Sequence, residues 1–207
     1  MSTIKEEVIA LIQQMPETSN ISDYHTSNRA SLISLGFGAS LLDTNRTYKN
    51  QLMFENEYLL FSAEDIAELM TFFNSKYGQA RSFCLPSFKA DLTLTNDAAS
   101  GQNQIVVDDN ETGIAVGTNL FFMQDAHGTY FTHKITAIDE NTITLDGNLS
   151  DDLLADTTVS IIYRVRYAED FLKLNYQTDN VAKVVMLFVE EIRTSDTDQT
   201  VTTEDEC

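Results

Sequence analysis

Histidine and aspartate near the middle of the chain are the first candidates for metal binding. Asp125, His127 and His133 are of the residue types that bind transition metals, and the two histidines have the same parity along a possible strand. A metal site needs convergent side chains about 2 Å from one ion, whereas six residues of strand span roughly 20 Å. Both histidines can reach one ion only if the chain turns between them. Two surface histidines on a strand are therefore the favoured interpretation, and no metal site is predicted.

A second group of oxygen-bearing side chains lies at Asp108, Asp109, Asn110 and Glu111. Such oxygens suit calcium, but the group lacks the alternate-position spacing and the distal bidentate glutamate of an EF-hand loop. A turn rich in aspartate and asparagine forms without a metal. We expect a turn here, and the sequence does not decide whether it binds calcium.

Catalytic patterns are also weak. His25 has Ser22 and Asp23 nearby, but adjacency in sequence does not make a catalytic triad. The Gly36–Gly38 stretch has Leu41 where a dinucleotide fingerprint needs its third glycine. There is no nucleophile elbow, phosphate loop or zinc-protease helix. The sequence therefore predicts a protein that is not an enzyme, with no catalytic residues and no cofactor.

The net charge of the chain limits the classes of partner that it can bind. The chain has 207 residues and a formal net charge of −19, which argues against stable binding to nucleic acid through phosphates. Residues 91–163 hold twelve acidic side chains and one lysine, Lys134, so this segment alone carries −11. No apolar run approaches the ~20 residues of a membrane helix. Charged residues within Met1–Met15 also argue against a signal peptide.

One segment organises the elements that must position these side chains. Ser62–Tyr77 has helical periodicity, with Ser62 as cap and Asp65 in the capping-box position. Gly78 stands where a left-handed residue would end the helix, and Arg81–Leu85 is typical of a short strand. We expect the helix to pack on a sheet through an apolar stripe of Ile66, Leu69, Met70, Phe73 and Tyr77.

The remaining elements follow from the same periodicities. Met1–Met15 is predicted as an amphipathic helix that packs either on its own domain or on a neighbouring subunit. Glu17–Asn28 is predicted to be a polar connector, and 194–207 a disordered acidic tail. Strands are predicted as one or two within Arg29–Leu42, then at Gln51–Phe61, Gln104–Val107, Asn119–Met123, Thr129–Ile138, Asn141–Leu145 and Thr157–Tyr163, with a final hairpin of Phe171–Tyr176 and Val181–Glu191.

Two stretches resemble bacteriophage minor tail proteins of the tail tip, the distal tail-like structural family. In that family a helix ends in a basic/aromatic–glycine pair and is followed by an aromatic–x–Leu–Pro–Ser–aromatic strand. Cys84 stands here where a second aromatic is common, and Phe88 where tryptophan is common. The first stretch comprises Phe72-Phe73, Lys76-Tyr77-Gly78, Ser82-Phe83, Leu85-Pro86-Ser87-Phe88 and Asp91-Leu92; the second comprises Arg164, Arg166, Leu172, Leu174, Tyr176, Thr178-Asp179, Val181-Ala182 and Val184.

The resemblance implies a mainly β fold with one or two α-helices, of the α+β class. Residues 1–90 and 164–193 would form an antiparallel β-sandwich-like domain with the helix 62–77 packed on it. Residues 91–163 would be an inserted acidic β-barrel or β-sandwich module.

The implied function is structural. The chain would form a homo-hexameric ring in the virion that joins the tail tube to the hub or fibres, after synthesis in the host cytoplasm. The alternative is a glycan- or receptor-binding β module at the virion surface. The resemblance carries over no catalytic residue.

Overall fold

The computed structural model describes residues 16–24, 31–34, 40–43, 51–108, 114–123, 130–155 and 157–191. The predicted helix of Met1–Met15 and the predicted tail 194–207 lie outside these residues. One α-helix and many strands confirm the mainly β class. The elements are β1 Thr18–Tyr24, β2 Ser31–Ser34, β3 Ser40–Asp43, β4 Gln51–Leu60, α1 Ala63–Ser75, β5 Phe83–Pro86, β6 Gln104–Val106, β7 Asn119–Met123, β8 Tyr130–Asp139, β9 Thr142–Leu145, β10 Thr158–Tyr167, β11 Leu174–Tyr176 and β12 Ala182–Glu190.

The described strands form a ten-stranded antiparallel sheet and a separate hairpin of β2 and β3. The order along the large sheet is β1-β4-β12-β10-β7-β8-β9-β6, with β11 paired to β12 and β5 paired to β10. The two short strands predicted within Arg29–Leu42 are therefore present. The final hairpin is also confirmed, since Tyr176 pairs with Ala182 across its turn.

The predicted polar connector Glu17–Asn28 was wrong over most of its length, because β1 occupies Thr18–Tyr24. Ile21 pairs with Phe54 of β4, and the backbone N–H of Glu17 donates to the carbonyl of Glu57 at 2.7 Å. Ile21 is the apolar residue of β1 that packs against the core. A strand at the end of the sheet order needs little apolar sequence, since its backbone bonds to β4 hold it there.

The helix α1 begins as predicted. The backbone N–H of Asp65 donates to Ser62 Oγ at 3.1 Å, and the Ser62 N–H donates to Asp65 Oδ2 at 3.0 Å, which completes a capping box. The predicted stripe was wrong at its edges, since Met70 is 46% exposed and Tyr77 is 67% exposed. Phe72 is buried instead, so the buried face is rotated from the predicted one and is formed by Ile66, Leu69 and Phe72.

Two apolar clusters share the sheet, and β7 contributes to both. The first cluster lies between α1 and strands β4, β12, β10 and β5; the second lies entirely within residues 92–159. Phe121 and Met123 point into the first cluster, whereas Leu120 and Phe122 point into the second. Alternation of side chains along a strand sends successive residues to opposite faces. The division into 1–90 with 164–193 and 91–163 stays a prediction.

The strand β10 runs past both clusters. Val165 pairs with Phe83 on one edge and with Glu190 on the other, while Val159 pairs with Phe122 and forms a bridge with Leu92. β10 is therefore hydrogen-bonded on both edges near each cluster. The predicted boundary between residues 163 and 164 falls inside this strand.

The chain passes between the clusters at Ser87–Asp91, alongside β10. Phe88 has φ = 54°, in the left-handed region. The carboxylate of Asp91 accepts from the backbone N–H of Ile161 at 2.8 Å and from the hydroxyl of Ser87. These bonds fix the bulged path of the segment against β10.

Candidate functional site

His133 contacts Asp146 and is not arranged for metal binding. Its Nδ1 lies 3.1 Å from Asp146 Oδ1, and the same oxygen accepts from the backbone N–H of Lys134 at 3.0 Å. Asp125 and His127 lie outside the described residues. Within the described ranges, no group of three or more His, Cys, Asp or Glu side chains could hold a metal ion.

The other sequence candidates are only partly described. Asp108 forms backbone hydrogen bonds, since its N–H donates to the Thr93 carbonyl at 3.0 Å and its carbonyl accepts from Asn141 Nδ2 at 3.3 Å. Asp109, Asn110 and Glu111 lie outside the described residues. Ser22 and Asp23 lie in β1 and Leu41 lies in β3, while His25 and Gly36–Gly38 lie outside the described ranges.

A groove lies at the C-terminal end of α1. It has a volume of about 630 Å³ and is lined by Phe73, Asn74, Tyr77, Gly78, Gln79, Ala80 and Asp170. The tyrosine ring is 67% exposed, and the Arg81 guanidinium lies 4.8 Å from its centroid. An aromatic face, an amide side chain and a carboxylate therefore border one concave surface.

Two successive left-handed residues build the wall of this groove. Tyr77 has φ = 53° and Gly78 has φ = 60°. Gly78 thus takes the left-handed conformation expected of it, but Tyr77 takes it too. The conformation is strained for a tyrosine and persists where the surrounding structure enforces it. Strain of this kind often marks a functional position.

Asp170 holds this wall in place by direct contact. Its Oδ1 accepts from the backbone N–H of Gln79 at 2.9 Å, and the Gln79 side chain donates to the carbonyl of Ala168 at 2.6 Å. A Cβ added to Gly78 would lie 2.6 Å from Asp170 Oδ1 and 3.2 Å from its Cα. Only glycine fits at this position. Crowding by Asp170 therefore explains the need for glycine more fully than the φ angle does.

Sequence reasoning did not find this groove. Two of its lining residues, Gln79 and Asp170, are 91 residues apart along the chain. No local sequence pattern connects them. The one local signal was the Tyr77-Gly78 pair at the predicted helix end.

The two tail-tip-like stretches meet beside the groove. The Nε of Arg164 donates to Ser82 Oγ at 2.8 Å and to Glu191 Oε2 at 2.7 Å. Burial would raise the pKa of Glu191, but hydrogen bonds from Ser82 and Arg164 and the charges of Arg164 and Arg166 outweigh it and lower the pKa. The hydrogen bonds and charges at this junction therefore favour the ionised form of the carboxylate.

The buried tyrosines of the first cluster resist ionisation. Burial raises the pKa of Tyr163 to about 12, with a further contribution from the charges of Asp91 and Glu190. Burial also raises the pKa values of Tyr58 and Tyr167 far above the usual range. These shifts follow from desolvation of the charged form, and none of the three residues lines the groove.

Comparisons with known proteins give a partial structural likeness. No protein-family model matches the chain, and no curated protein matches it. Among solved structures, it is similar to the Gp54 tailspike of Acinetobacter baumannii bacteriophage AP22, solved in complex with A. baumannii capsular saccharide. Identity is 18% and the TM-score is 0.30, over 35% of this chain and 14% of the tailspike chain. The similarity thus concerns a small part of a phage tail protein.

The described part of the chain contains no helix that is long and apolar enough to cross a membrane.

Proposed function

We propose that the chain is a structural subunit of a phage or prophage tail tip, in a six-fold ring that connects the tail tube to the hub or fibres. The observation that carries this proposal is that the two stretches with tail-tip resemblance, far apart in sequence, form one structural unit. Phe83 of the first stretch pairs on β10 with Val165, which lies between Arg164 and Arg166 of the second. The Arg164 side chain bonds back to Ser82.

Packing within this unit supports a rigid building block. The rings of Phe72 and Phe83 meet edge to face with centroids 5.1 Å apart, and Phe83 contacts Phe188 of β12 at 5.6 Å. The helix, the motif strand and the closing hairpin therefore share one core. A ring subunit needs such rigidity, because closed symmetry requires the same angle at each repeated contact.

The charge distribution supports an exposed position for the acidic segment 91–163. Residues 91–163 carry −11, and burying unpaired carboxylates in a subunit interface is costly. We place this part at the outside of the ring, where it is available to a fibre or receptor. The proposal assigns the protein to the virion after synthesis in the host cytoplasm, with no stable nucleic-acid binding, no membrane contact and no catalytic step.

The experiment is to count copies in purified virions encoded by the same genome. Quantitative mass spectrometry against the major tail-tube protein should give about six copies per particle, as closed six-fold symmetry requires. Electron microscopy of the tail tip should place those copies in one ring. Absence from the virion, or a single copy per particle, would reject the proposal. The isolated chain is a weaker test, because a ring can need its partner for assembly.

A further inference from the structure

We propose that the groove at the C-terminal end of α1 binds a neutral saccharide, with Tyr77 as the stacking surface and Asp170 and Asn74 as hydrogen-bonding groups. This site lies in the first cluster's unit, outside the acidic segment. The proposal is independent of the ring, because it concerns a ligand of the single chain.

The ring of Tyr77 is exposed to solvent and held in a fixed position. It is 67% exposed, it directly follows Lys76 at the C-cap of α1, and its left-handed φ of 53° directs the chain away from the helix. Arg81 lies over one face of the ring, 4.8 Å from its centroid, so a sugar would stack on the opposite face. The negative face of an aromatic ring attracts the weakly positive C–H groups of a pyranose ring. A fixed, exposed tyrosine that borders a groove is suited to that contact.

The polar groups of the groove match hydroxyl ligands. A carboxylate such as Asp170 only accepts hydrogen bonds, whereas the amide of Asn74 both donates and accepts. A sugar hydroxyl also does both, so adjacent hydroxyls can engage each of these groups. Asp170 is already oriented by its bond to the Gln79 N–H at 2.9 Å. Little ordering of the protein is then needed on binding.

Charge favours a neutral ligand. The groove carries the carboxylate of Asp170, and Arg81 beside it carries the opposite charge, so the two nearly cancel. The chain as a whole has a net charge of −19, which repels polyanions. A volume of about 630 Å³ lies within the range of small-molecule binding pockets.

A second surface tyrosine offers a matched comparison. Tyr176 is 60% exposed and borders a smaller groove of about 430 Å³ with Gln177, Thr178 and Asp179, at the turn between β11 and β12. Its composition is similar, but it lies in the strand β11, and none of the left-handed residues of the described chain is found at that turn. We therefore assign the site to Tyr77 and use Tyr176 as the control.

The test uses the full chain with four neutral probes: hexasaccharides of glucose, galactose, mannose and N-acetylglucosamine. Saturation-transfer NMR and calorimetry should detect binding of at least one of them, with Kd on the order of 1 mM for so open a site. Tyr77→Asn removes the ring and suits the left-handed backbone, so the fold should be retained and binding should fall by at least roughly tenfold. Asp170→Asn should weaken binding by several-fold while keeping an acceptor for Gln79.

Two control variants distinguish binding at Tyr77 from binding elsewhere on the chain. Tyr77→Phe keeps the ring and should bind within about threefold of the original chain. Tyr176→Ala should leave binding unchanged. Failure of all four probes, or binding that is insensitive to Tyr77→Asn, would overturn the proposal. Loss of binding in Tyr176→Ala would overturn it as well. A change of oligomeric state in Tyr77→Asn without saccharide binding would assign the groove to subunit contact instead.

Discussion

The ring of Phe83 stands edge-on to that of Phe72, with centroids 5.1 Å apart and planes at 85°. This contact joins the helix α1 to the strand β5 across the seven-residue connection 76–82. Edge-to-face pairs of this kind add to the free energy gained by burial. The Phe72–Phe83 contact therefore fixes both ends of the chain segment between the two rings. That segment includes the left-handed residues Tyr77 and Gly78.

Phe72→Ala should lower the free energy of unfolding by about 3–5 kcal/mol, because Phe72 is only 8% exposed and its removal leaves a cavity against Phe83. Urea denaturation followed by circular dichroism measures the change. Phe61→Ala is the control, since Phe61 is 61% exposed and its loss should change stability by no more than about 0.5 kcal/mol. A loss below about 1 kcal/mol for Phe72→Ala would show that the helix face is not core.

Gly78→Ala should destabilise the protein more than Gly101→Ala. Both glycines have positive φ, at 60° and 84°, so both substitutions share the left-handed penalty of about 1–2 kcal/mol. Only Gly78 is also crowded, with the Asp170 backbone at 3.2 Å from the new Cβ, whereas Gly101 has nothing within 4 Å. Thermal and urea melts of the two variants give the difference directly. Equal losses would mean that Asp170 moves away without cost.

Stability should fall as the pH rises above about 10. Burial raises the pKa values of Tyr58 and Tyr167 above the value of 10.0 expected in the unfolded chain. Above that pH the unfolded chain loses these protons and the folded chain keeps them. The stabilising contribution is therefore complete below pH 10 and is lost as the pH rises toward the folded-state pKa.

Tyr167→Phe removes one of these groups, so its stability should decline less steeply above pH 10, by about 1.4 kcal/mol per pH unit. Urea melts between pH 8 and pH 11 measure the slope. The exposed Tyr176 supplies the control, and Tyr176→Phe should leave the slope unchanged. Parallel curves for Tyr167→Phe and the original chain would contradict the burial of this hydroxyl.

Glu191→Gln should reduce stability at neutral pH and not in acid. Hydrogen bonds and the Arg164 charge lower the pKa of Glu191 despite its partial burial, so its contribution is present above the unfolded value of 4.5 and is lost as the pH falls below it. The side chain is 42% exposed, and solvent screening limits the loss to below about 1 kcal/mol. Melts at pH 7 and pH 3 should show the difference closing. Glu169→Gln, at an exposed glutamate, is the control for the general effect of removing one negative charge.

Local sequence patterns predicted a helix or strand well where the apolar face of that element is enough to determine it. The capping box at Ser62 and the helical spacing of Ile66 and Leu69 were enough to predict α1, and period-two patterns located most strands. The edge strand β1 was missed because its stability comes from backbone bonds to β4, which polar side chains do not signal. The Gln79–Asp170 contact was beyond reach for a similar reason, since it depends on how distant segments pack.

The continuous strand β10 has a mechanical consequence. Its backbone, with the Ser87–Asp91 segment beside it, crosses from one apolar cluster to the other, and its hydrogen bonds to β7, β5 and β12 lie perpendicular to the strand direction. Tension along the strand therefore loads these hydrogen bonds in shear and at the same time. They do not break one after another. Because β10 is shared, we expect the two clusters to yield together under tension along this strand.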